Sequence, residues 1–404
     1  MAGVPDMEGR VHIGVIAAAH KIRDVEIHSS RHIDACRVLV GKPVDQALAI
    51  LPRLFSICGS AQAVAGSMAR EALSGLQPTP QQSAARQISL SLETVQEHFG
   101  RLLIDWPRLY DGAGPDLPSL ARVHTYLRAT RDALGSIPSA HAKSAGGVKI
   151  NAAALANAVE QLETLMSDVL LGMRSEEWLG IDDCAQLRGW YRSTHNVATM
   201  AFRRLEQNDI AEFGRCDMQL MPQIDAREFD QLLSGSSAWQ IAARPYWRGK
   251  VYETGPLARQ ARWPLISDLR RRYGNGLIVR MAARFVELVC AIHDLPAQIA
   301  GLQVAAQQEA PRPSEQYIAN GAGVGVVEAA RGRLAHRLEV EQGVIRDYRI
   351  LAPTEWNFHP EGPLVYGLRG LRFGELAELR QRIGMLVSAL DPCVAHEITI
   401  NGAA

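Results

Sequence analysis

Two cysteines near opposite ends of the chain constrain its fold most strongly. Cys58 precedes a glycine in Ser56-Ile57-Cys58-Gly59-Ser60-Ala61, and Cys393 follows a rigid, turn-forming proline in Asp391-Pro392-Cys393. The chain has six cysteines and no Cys-x-x-Cys pair, which fits neither a disulfide framework nor a local zinc site. Any thiolate metal site must therefore be assembled from distant segments, so a fold that uses both thiols must bring residues 58 and 393 together.

Each cysteine also has a simpler interpretation. Free cysteine is among the most buried residue types, so Cys58 or Cys393 taken alone is better explained as a small core side chain. His396 lies three residues after Cys393, a spacing at which both side chains can reach one metal. A single Cys-x-x-His motif often occurs without a metal, however, so both interpretations stay open at this point.

The overall charge of the chain indicates which classes of binding partner to expect. The 404 residues include 43 basic and 43 acidic side chains, a formal net charge of +0, with no block of like charge. This composition does not point to nucleic acid or to an anionic membrane surface, so we expect a small molecule or a protein as partner. Residues 1–10 lack the apolar stretch of a signal peptide, and no later run reaches the roughly 18 apolar residues needed to span a bilayer. We therefore expect a cytoplasmic protein.

Apolar periodicity predicts a mainly α-helical α+β protein. Two strands, Val11 to Ala17 and Asp24 to His28, open the chain, and a helix over 44–55 stops one turn before Cys58. Further helices are predicted at 84–110, 118–135, 150–173 and 183–207, from 278 to before Pro296, and at 374–390. A loop is predicted at 141–147 and a β-hairpin at 332–350. We expect one domain over 1–404, made of an N-terminal sheet region (1–43), a helical core (44–310) and a C-terminal region (311–404) with the hairpin, the last helix and the Asp-Pro-Cys tail.

Two further segments have ordinary interpretations. The glycine run Gly321-Ala322-Gly323-Val324-Gly325 lacks the preceding strand and following helix of a dinucleotide-binding turn, so we expect a flexible turn there. Taken alone, Pro353-Thr354-Glu355-Trp356-Asn357 is typical of a loop that is anchored by its tryptophan.

Taken together, strings spread over the chain resemble the large subunit of nickel–iron hydrogenases. That family has an opening Arg-Gly-x-Glu, then Leu-x-Gly-Arg-x-Pro and Arg-x-Cys-Gly-x-Cys, and near its end Asp-Pro-Cys-x-x-Cys. The similar strings here, in the same order, are Arg31-His32-Ile33-Asp34, Leu39-Val40-Gly41-Lys42-Pro43, the Cys58 segment, Gly255-Pro256-Leu257-Ala258-Arg259, Ala283-Arg284 with Glu287, Glu328-Ala329-Ala330-Arg331-Gly332, the 353–357 segment and the Cys393 segment. The resemblance implies a hydrogenase large-subunit-like fold with a small N-terminal sheet and a C-terminal β-hairpin.

The departures from the family pattern bear on function. Family enzymes hold nickel through two Cys-x-x-Cys pairs, whose second thiolates also bridge to an iron that carries carbon monoxide and cyanide. The second positions are Ala61 and His396 here, and histidines that follow the pairs in the family are replaced by Ala65 and Thr399. Two thiolates instead of four make a poor nickel site, because soft thiolates set its affinity and redox behaviour. On this resemblance we expect neither hydrogen turnover nor bound nickel.

The resemblance implies that the residues around the iron ligands of the family are retained. Arg331 and Thr354 stand where their family counterparts donate hydrogen bonds to the cyanides of the iron. With nickel ligands missing but Arg331 and Thr354 present, the chain is similar to accessory hydrogenase expression/formation proteins of the HupK/HoxV type. It implies a non-catalytic scaffold in nickel–iron hydrogenase maturation that transiently holds the Fe(CN)2(CO) fragment before transfer to the large subunit.

The resemblance also implies a set of site residues and partners. Cys58 and Cys393 are the expected sulfur ligands of the iron, His396 is a candidate third ligand, and Asp34 is an expected hydrogen-bond partner near Cys58. The implied partners are the maturation proteins that build the iron fragment and the hydrogenase large-subunit precursor, without nucleic acid or membrane. Two alternatives remain: a metal-free interaction module that assists large-subunit assembly, and a degenerate hydrogenase enzyme.

Overall fold

A computed structural model of the chain describes residues 9–31, 35–111, 114–134, 151–306 and 320–402. Its strands are β1 (Arg10–Ala18), β2 (Lys21–Ser29), β3 (Gly321–Ala329), β4 (Gly332–Glu341), β5 (Val344–Leu351) and β6 (Ala395–Asn401). The α-helices in the first half are α1 (Val44–Leu54), α2 (Gly59–Ser74), α3 (Pro80–Gly100), α4 (Leu117–Leu134), α5 (Ala152–Met166), α6 (Ser175–Leu179), α7 (Cys184–Ser193) and α8 (Val197–Gln207). Those in the second half are α9 (Ala226–Leu232), α10 (Ala238–Ala243), α11 (Pro256–Gln260), α12 (Pro264–Tyr273), α13 (Leu277–His293), α14 (Leu295–Ala306), α15 (Pro353–Asn357), α16 (Pro363–Leu368) and α17 (Leu376–Leu390).

The N-terminal sheet joins the two ends of the described chain. Strands β1 and β2 form the predicted antiparallel hairpin, in which alternate residues of β1 are buried, as expected for a sheet with one face on the core. Strand β6 then pairs in parallel with β1, with Val11 opposite His396, so the strand order is β2-β1-β6. The sequence analysis did not predict β6. Its consequence is that Cys393, two residues before β6, is held between this sheet and the preceding helix α17.

The second sheet, β3-β4-β5, contains the predicted hairpin and corrects the interpretation of the glycine run. Residues 321–325 form the start of β3, so the expected flexible turn is wrong. Strand β3 lies directly on α2, and a Cβ atom at Gly323 or Gly325 would overlap the carbonyl oxygen of Ala69 or Ala65 on that helix. Glycine is therefore required here for close backbone approach rather than for a turn.

The helical core largely follows the predicted periodicity, with different boundaries. Helix α3 begins earlier than expected because Thr79 and Gln82 form a capping box with Pro80 at the first helical position, and π-helical turns continue the chain to Asp111. The predicted helical stretch at 183–207 is two helices, because Asn196 caps a new one with Thr199. The predicted 278–295 helix is α13, which is buried along most of its length at the centre of the molecule. The expected loop at 141–147 lies outside the described residues.

No single helix within the described ranges has the length and apolarity needed to cross a membrane. The bent pair α13 and α14, which meet at 43°, passes that test only when the two helices are taken together. Since α13 is largely buried inside the protein, packing accounts for its apolar character.

Candidate functional site

Cys58 and Cys393 line one small cavity, as the sequence analysis predicted. Cys58 ends a short 3-10 turn at the start of α2, and Cys393 lies in the link between α17 and β6. Both thiols are free and half-buried. The cavity has a volume of about 10 Å³, room for roughly one water-sized group. Its other lining residues are Gln62, Glu93, Glu97, Ala329, Ala330, Arg331, Leu334, Ala352 and Pro353.

The Thr354 hydroxyl contacts the sulfur of Cys393. The two atoms lie 2.9 Å apart, and the same hydroxyl oxygen accepts the backbone N–H of Cys393 at 3.1 Å. A hydroxyl has one proton to donate, so with its oxygen accepting from the backbone it can donate that proton to the sulfur. The expected loop at 353–357 is a short buried helix, α15, with Pro353 at its first position, and this helix fixes Thr354 against Cys393.

The thiol of Cys58 is kept protonated by its surroundings. Burial raises its pKa to about 12, and the nearby Cys393 and Glu93 add to the rise, while Gln62 and Arg331 act in the opposite direction. Gln62 lies one turn further along α2 and donates a hydrogen bond to the sulfur over 3.3 Å. A thiol in this state is a weak nucleophile, and a bound cation is the usual means by which such a group is deprotonated.

Arg331 brings a buried positive charge to the cavity. Its guanidinium is held by Asp391 at 3.1 Å and by Glu97 at 2.9 Å, and the residue is 5% exposed. Burial opposes its charge, but the two carboxylates more than compensate and raise its pKa. The arginine is therefore a fixed, charged hydrogen-bond donor beside the two sulfur atoms.

Asp391 is the centre of the charged cluster behind the cavity. It adopts a left-handed conformation (φ 58°) at the end of α17, and its carboxylate contacts the guanidinium groups of Arg101, Arg284 and Arg331. Burial opposes ionisation, but these three arginines lower its pKa below the usual range. The residue thus links the C-terminal end of α17 to the arginine that faces the thiols.

Comparison with known proteins places the chain in a family. The chain is 33% identical to the hydrogenase expression/formation protein HoxV of Cupriavidus necator over 383 residues, which cover 90% of this chain and 89% of that protein. The chain belongs to the HoxV/HupK family of hydrogenase expression/formation proteins. The HupK protein of Rhizobium leguminosarum bv. viciae is 29% identical over 98% of both chains. This confirms the family that the strings and their departures from the large-subunit pattern together indicated.

The formation-protein family shares its fold with hydrogenase large subunits. The family model described as nickel-dependent hydrogenase matches residues 265–396 of this member. The nickel–iron–selenium hydrogenase of D. vulgaris Hildenborough superimposes with a TM-score of 0.68 over 94% of both chains, at 15% sequence identity. At this identity the likeness establishes the predicted large-subunit-like α+β fold and nothing about activity.

A carboxylate lies beside Ala61, the position where the resemblance implies that hydrogenases have a second cysteine. In this formation protein Ala61 is fully buried, and Glu93 of α3 accepts the backbone N–H groups of Ser60 and Ala61 at 2.6 and 3.1 Å. Burial raises the pKa of Glu93 to about 7, although both N–H groups act against the rise. The sequence analysis missed Glu93, because a contact to backbone atoms about thirty residues away leaves no pattern in side-chain types.

Arg31 is a second charged residue that the sequence analysis did not select. It pairs with Glu355 of α15 at 2.5 Å, and both side chains are largely buried. Burial opposes the charge of Arg31, but the neighbouring Cys393 and Glu355 raise its pKa. The position of Arg31 in the first family-like string was the available signal, but only Asp34 of that string was selected.

Two predicted site residues are not placed with the others. His396 is in β6 with an exposed side chain, and it is not among the described residues that line the thiol cavity. Its role as a third ligand therefore stays a prediction. Asp34 lies outside the described residues, so its predicted hydrogen bond near Cys58 is untested.

Proposed function

We propose that this formation-family protein acts in nickel–iron hydrogenase maturation as a non-catalytic scaffold that transiently holds the Fe(CN)2(CO) fragment. The main support for the proposal is that Cys58, Cys393 and Arg331 line the same cavity, and that the hydroxyl of Thr354 contacts the Cys393 sulfur. The names of the relatives, hydrogenase expression/formation proteins, support the maturation role.

The donor set suits such a cargo chemically. Thiolates are soft ligands for a low-valent iron centre, and a cyanide nitrogen on that iron is a negatively polarised acceptor. Arg331 is a permanently charged donor for such an acceptor, and Thr354 offers a hydroxyl. The iron would replace the proton of Cys58, which burial otherwise retains.

Release of the cargo follows from the same donor set. The buried methyl group of Ala61 offers no bridging sulfur, and the neighbouring Glu93 oxygens are engaged by backbone N–H groups. The resemblance implies that a hydrogenase holds this iron through two bridging thiolates that nickel also shares, whereas this site has no thiolate at those positions, so transfer to the large-subunit precursor runs downhill. The proposed partners are accordingly that precursor and the maturation proteins that build the fragment, in the cytoplasm.

Infrared spectroscopy tests the proposal directly. The protein is purified from cells that contain the maturation system, as wild type, Cys58→Ala and Cys290→Ala. Cys290 is a matched control, because it is also a free, half-buried cysteine but lies on α13 away from the thiol cavity. Cyanide and carbonyl stretches are expected in the wild type and Cys290→Ala and are expected to be lost in Cys58→Ala. Their absence from the wild type, or their survival in Cys58→Ala, would contradict the proposal.

The size of the cavity favours a second candidate, a metal-free interaction module that assists large-subunit assembly. With room for about one water-sized group, the site must widen before it accepts an iron with three diatomic ligands. A module without cargo needs no such change. Cys393→Ser separates the two functions in a hydrogenase maturation assay: the scaffold loses activity, whereas the metal-free module keeps it.

A further inference from the structure

Three metal-ligating side chains meet at a second place in the fold. Glu163 of α5, Glu176 of α6 and His293 at the end of α13 each place one ligand atom within 4.8 Å of the other two. None of them lines the thiol cavity. The imidazole distinguishes the group from an ordinary acidic surface patch, because it supplies a nitrogen ligand that borderline transition-metal ions prefer.

Ser175 orients two of the three side chains. Its fully buried hydroxyl donates to one Glu163 oxygen at 2.7 Å and lies 3.4 Å from Nδ1 of His293. Because the serine proton is used on Glu163, a hydrogen bond to the imidazole requires Nδ1–H as the donor. The lone pair of His293 is then on Nε2, and the second oxygen of Glu163 has no hydrogen-bond partner among the described residues. Metal-binding histidines are commonly held in this way through their other ring nitrogen.

In the part of the chain that the structure describes, no lysine or arginine neutralises the two carboxylates. Within the described ranges neither Glu163 nor Glu176 pairs with a lysine or arginine, whereas the neighbouring Glu177 pairs with Arg174 at 3.2 Å. Two close carboxylates without a counter-charge repel each other, and a divalent cation between them removes that repulsion. The negative charge of the two carboxylates and the presence of an imidazole nitrogen therefore both favour a divalent metal cation as the ligand.

We propose that Glu163, Glu176 and His293 form a binding site for a divalent transition-metal ion, separate from the thiol cavity. One nitrogen and two carboxylate oxygens suit borderline ions such as Zn²⁺, Co²⁺ or Ni²⁺ better than soft Cu⁺ or hard Mg²⁺. Glu176 is exposed and Glu163 and His293 are half-buried, so water completes the coordination and the ion exchanges with solvent. Because the three residues come from three helices, the ion would also cross-link α5, α6 and α13.

Co²⁺ is the probe for this site, because its spectrum reports its ligands. The metal-free protein is titrated with Co²⁺ in a Cys58→Ala/Cys393→Ala background, which removes the competing thiol pair. We expect one saturable site with visible ligand-field bands and without thiolate-to-cobalt charge transfer. His293→Ala and Glu176→Gln should each weaken Co²⁺ binding at least tenfold, whereas Glu177→Gln on the same helix should bind as the parent does.

A thermal melt with and without Co²⁺ provides the check on folding. Glu176 is exposed, so Glu176→Gln should melt like the parent protein in the absence of metal, and the upward shift in Tm with Co²⁺ should be lost. Thiolate charge transfer in the parent spectrum, no saturable binding, or unchanged affinity in both His293→Ala and Glu176→Gln would overturn the proposal. Failure of this test leaves the infrared experiment on the thiol cavity unaffected, because the two sites share no residue.

Discussion

The hydroxyl of Thr354 lies 2.9 Å from the sulfur of Cys393 and 3.1 Å from its backbone nitrogen. Through these two contacts, a buried five-residue helix orients a cysteine that belongs to the link before the last strand. In the cavity, the Thr354 hydroxyl therefore holds the Cys393 sulfur, and the side-chain amide of Gln62 donates a hydrogen bond to the Cys58 sulfur at 3.3 Å.

The first prediction concerns Thr354→Val, which keeps the side-chain volume and removes the hydroxyl. Loss of a hydrogen bond to a charged or polarised acceptor costs about 1.5–3 kcal/mol, so retention of a cyanide-bearing iron should fall about tenfold or more. Iron content and infrared band intensity per protein measure it. Thr130→Val is the matched control, because the Thr130 hydroxyl is also buried but, within the described ranges, donates to Tyr126 of its own helix. Equal retention in both variants would show that the Thr354 hydroxyl does not contribute.

The second prediction concerns Asp391→Asn. Asparagine tolerates the left-handed backbone at this position, so the change removes charge and leaves three buried arginines without their shared carboxylate. Breaking a buried charge network costs about 3–5 kcal/mol, which urea unfolding should detect. Asp24→Asn breaks an exposed pair with Arg369 and should cost far less, because solvent screens a surface ion pair. A similar cost for the two variants would contradict the structural role of Asp391.

The third prediction concerns the pH dependence that Glu93 contributes. Burial raises its pKa in the folded state to about 7, from an ordinary value of 4.5, so between these pH values the folded state binds more protons than the unfolded state. The free energy of unfolding should therefore fall with rising pH across this window, relative to Glu93→Gln, by an amount on the order of 3 kcal/mol. Urea unfolding of both proteins from pH 4 to 8 tests this. A difference that stays constant or grows in favour of the wild type would contradict the raised pKa.

The fourth prediction concerns Gly325→Ala. The added methyl group would overlap the carbonyl oxygen of Ala65, a backbone atom that cannot move independently of α2. We expect a loss of about 3 kcal/mol or more in the free energy of unfolding. Gly301→Ala in α14 meets no atom within 4 Å and should stabilise the protein by up to about 1 kcal/mol, since alanine favours a helix. Equal effects of the two substitutions would rule out the close approach of β3 to α2.

The convergence of Cys58 and Cys393 was predictable because the residue types and the family-like strings around them are local in sequence. The same holds for Arg331, which the structure places in the lining of that cavity. Glu93 was not predictable, since its partners are the backbone N–H groups of Ser60 and Ala61, and any residue there would offer the same groups.

The glycine run shows why part of the fold was misinterpreted. Glycine weakens a strand pattern, and the reason for Gly323 and Gly325 lies on another element, the helix α2 that packs over them. Strand β6 was missed for a related reason. Its pairing partner β1 lies at the other end of the chain, so no neighbouring strand in the sequence marks residues 395–401 as extended.

The pairing of β6 with β1 has a consequence for synthesis of the protein on the ribosome. Strand β1 is translated first but must wait for residues 395–401 before its second edge is covered, and Cys393 emerges immediately before them. Domains generally begin to fold from the N-terminus during translation, yet here neither the first sheet nor the two-thiol cavity can close before residues 395–401 have been translated. A truncated translation product therefore presents Cys58 without Cys393, so only a chain translated through β6 gains the complete pocket.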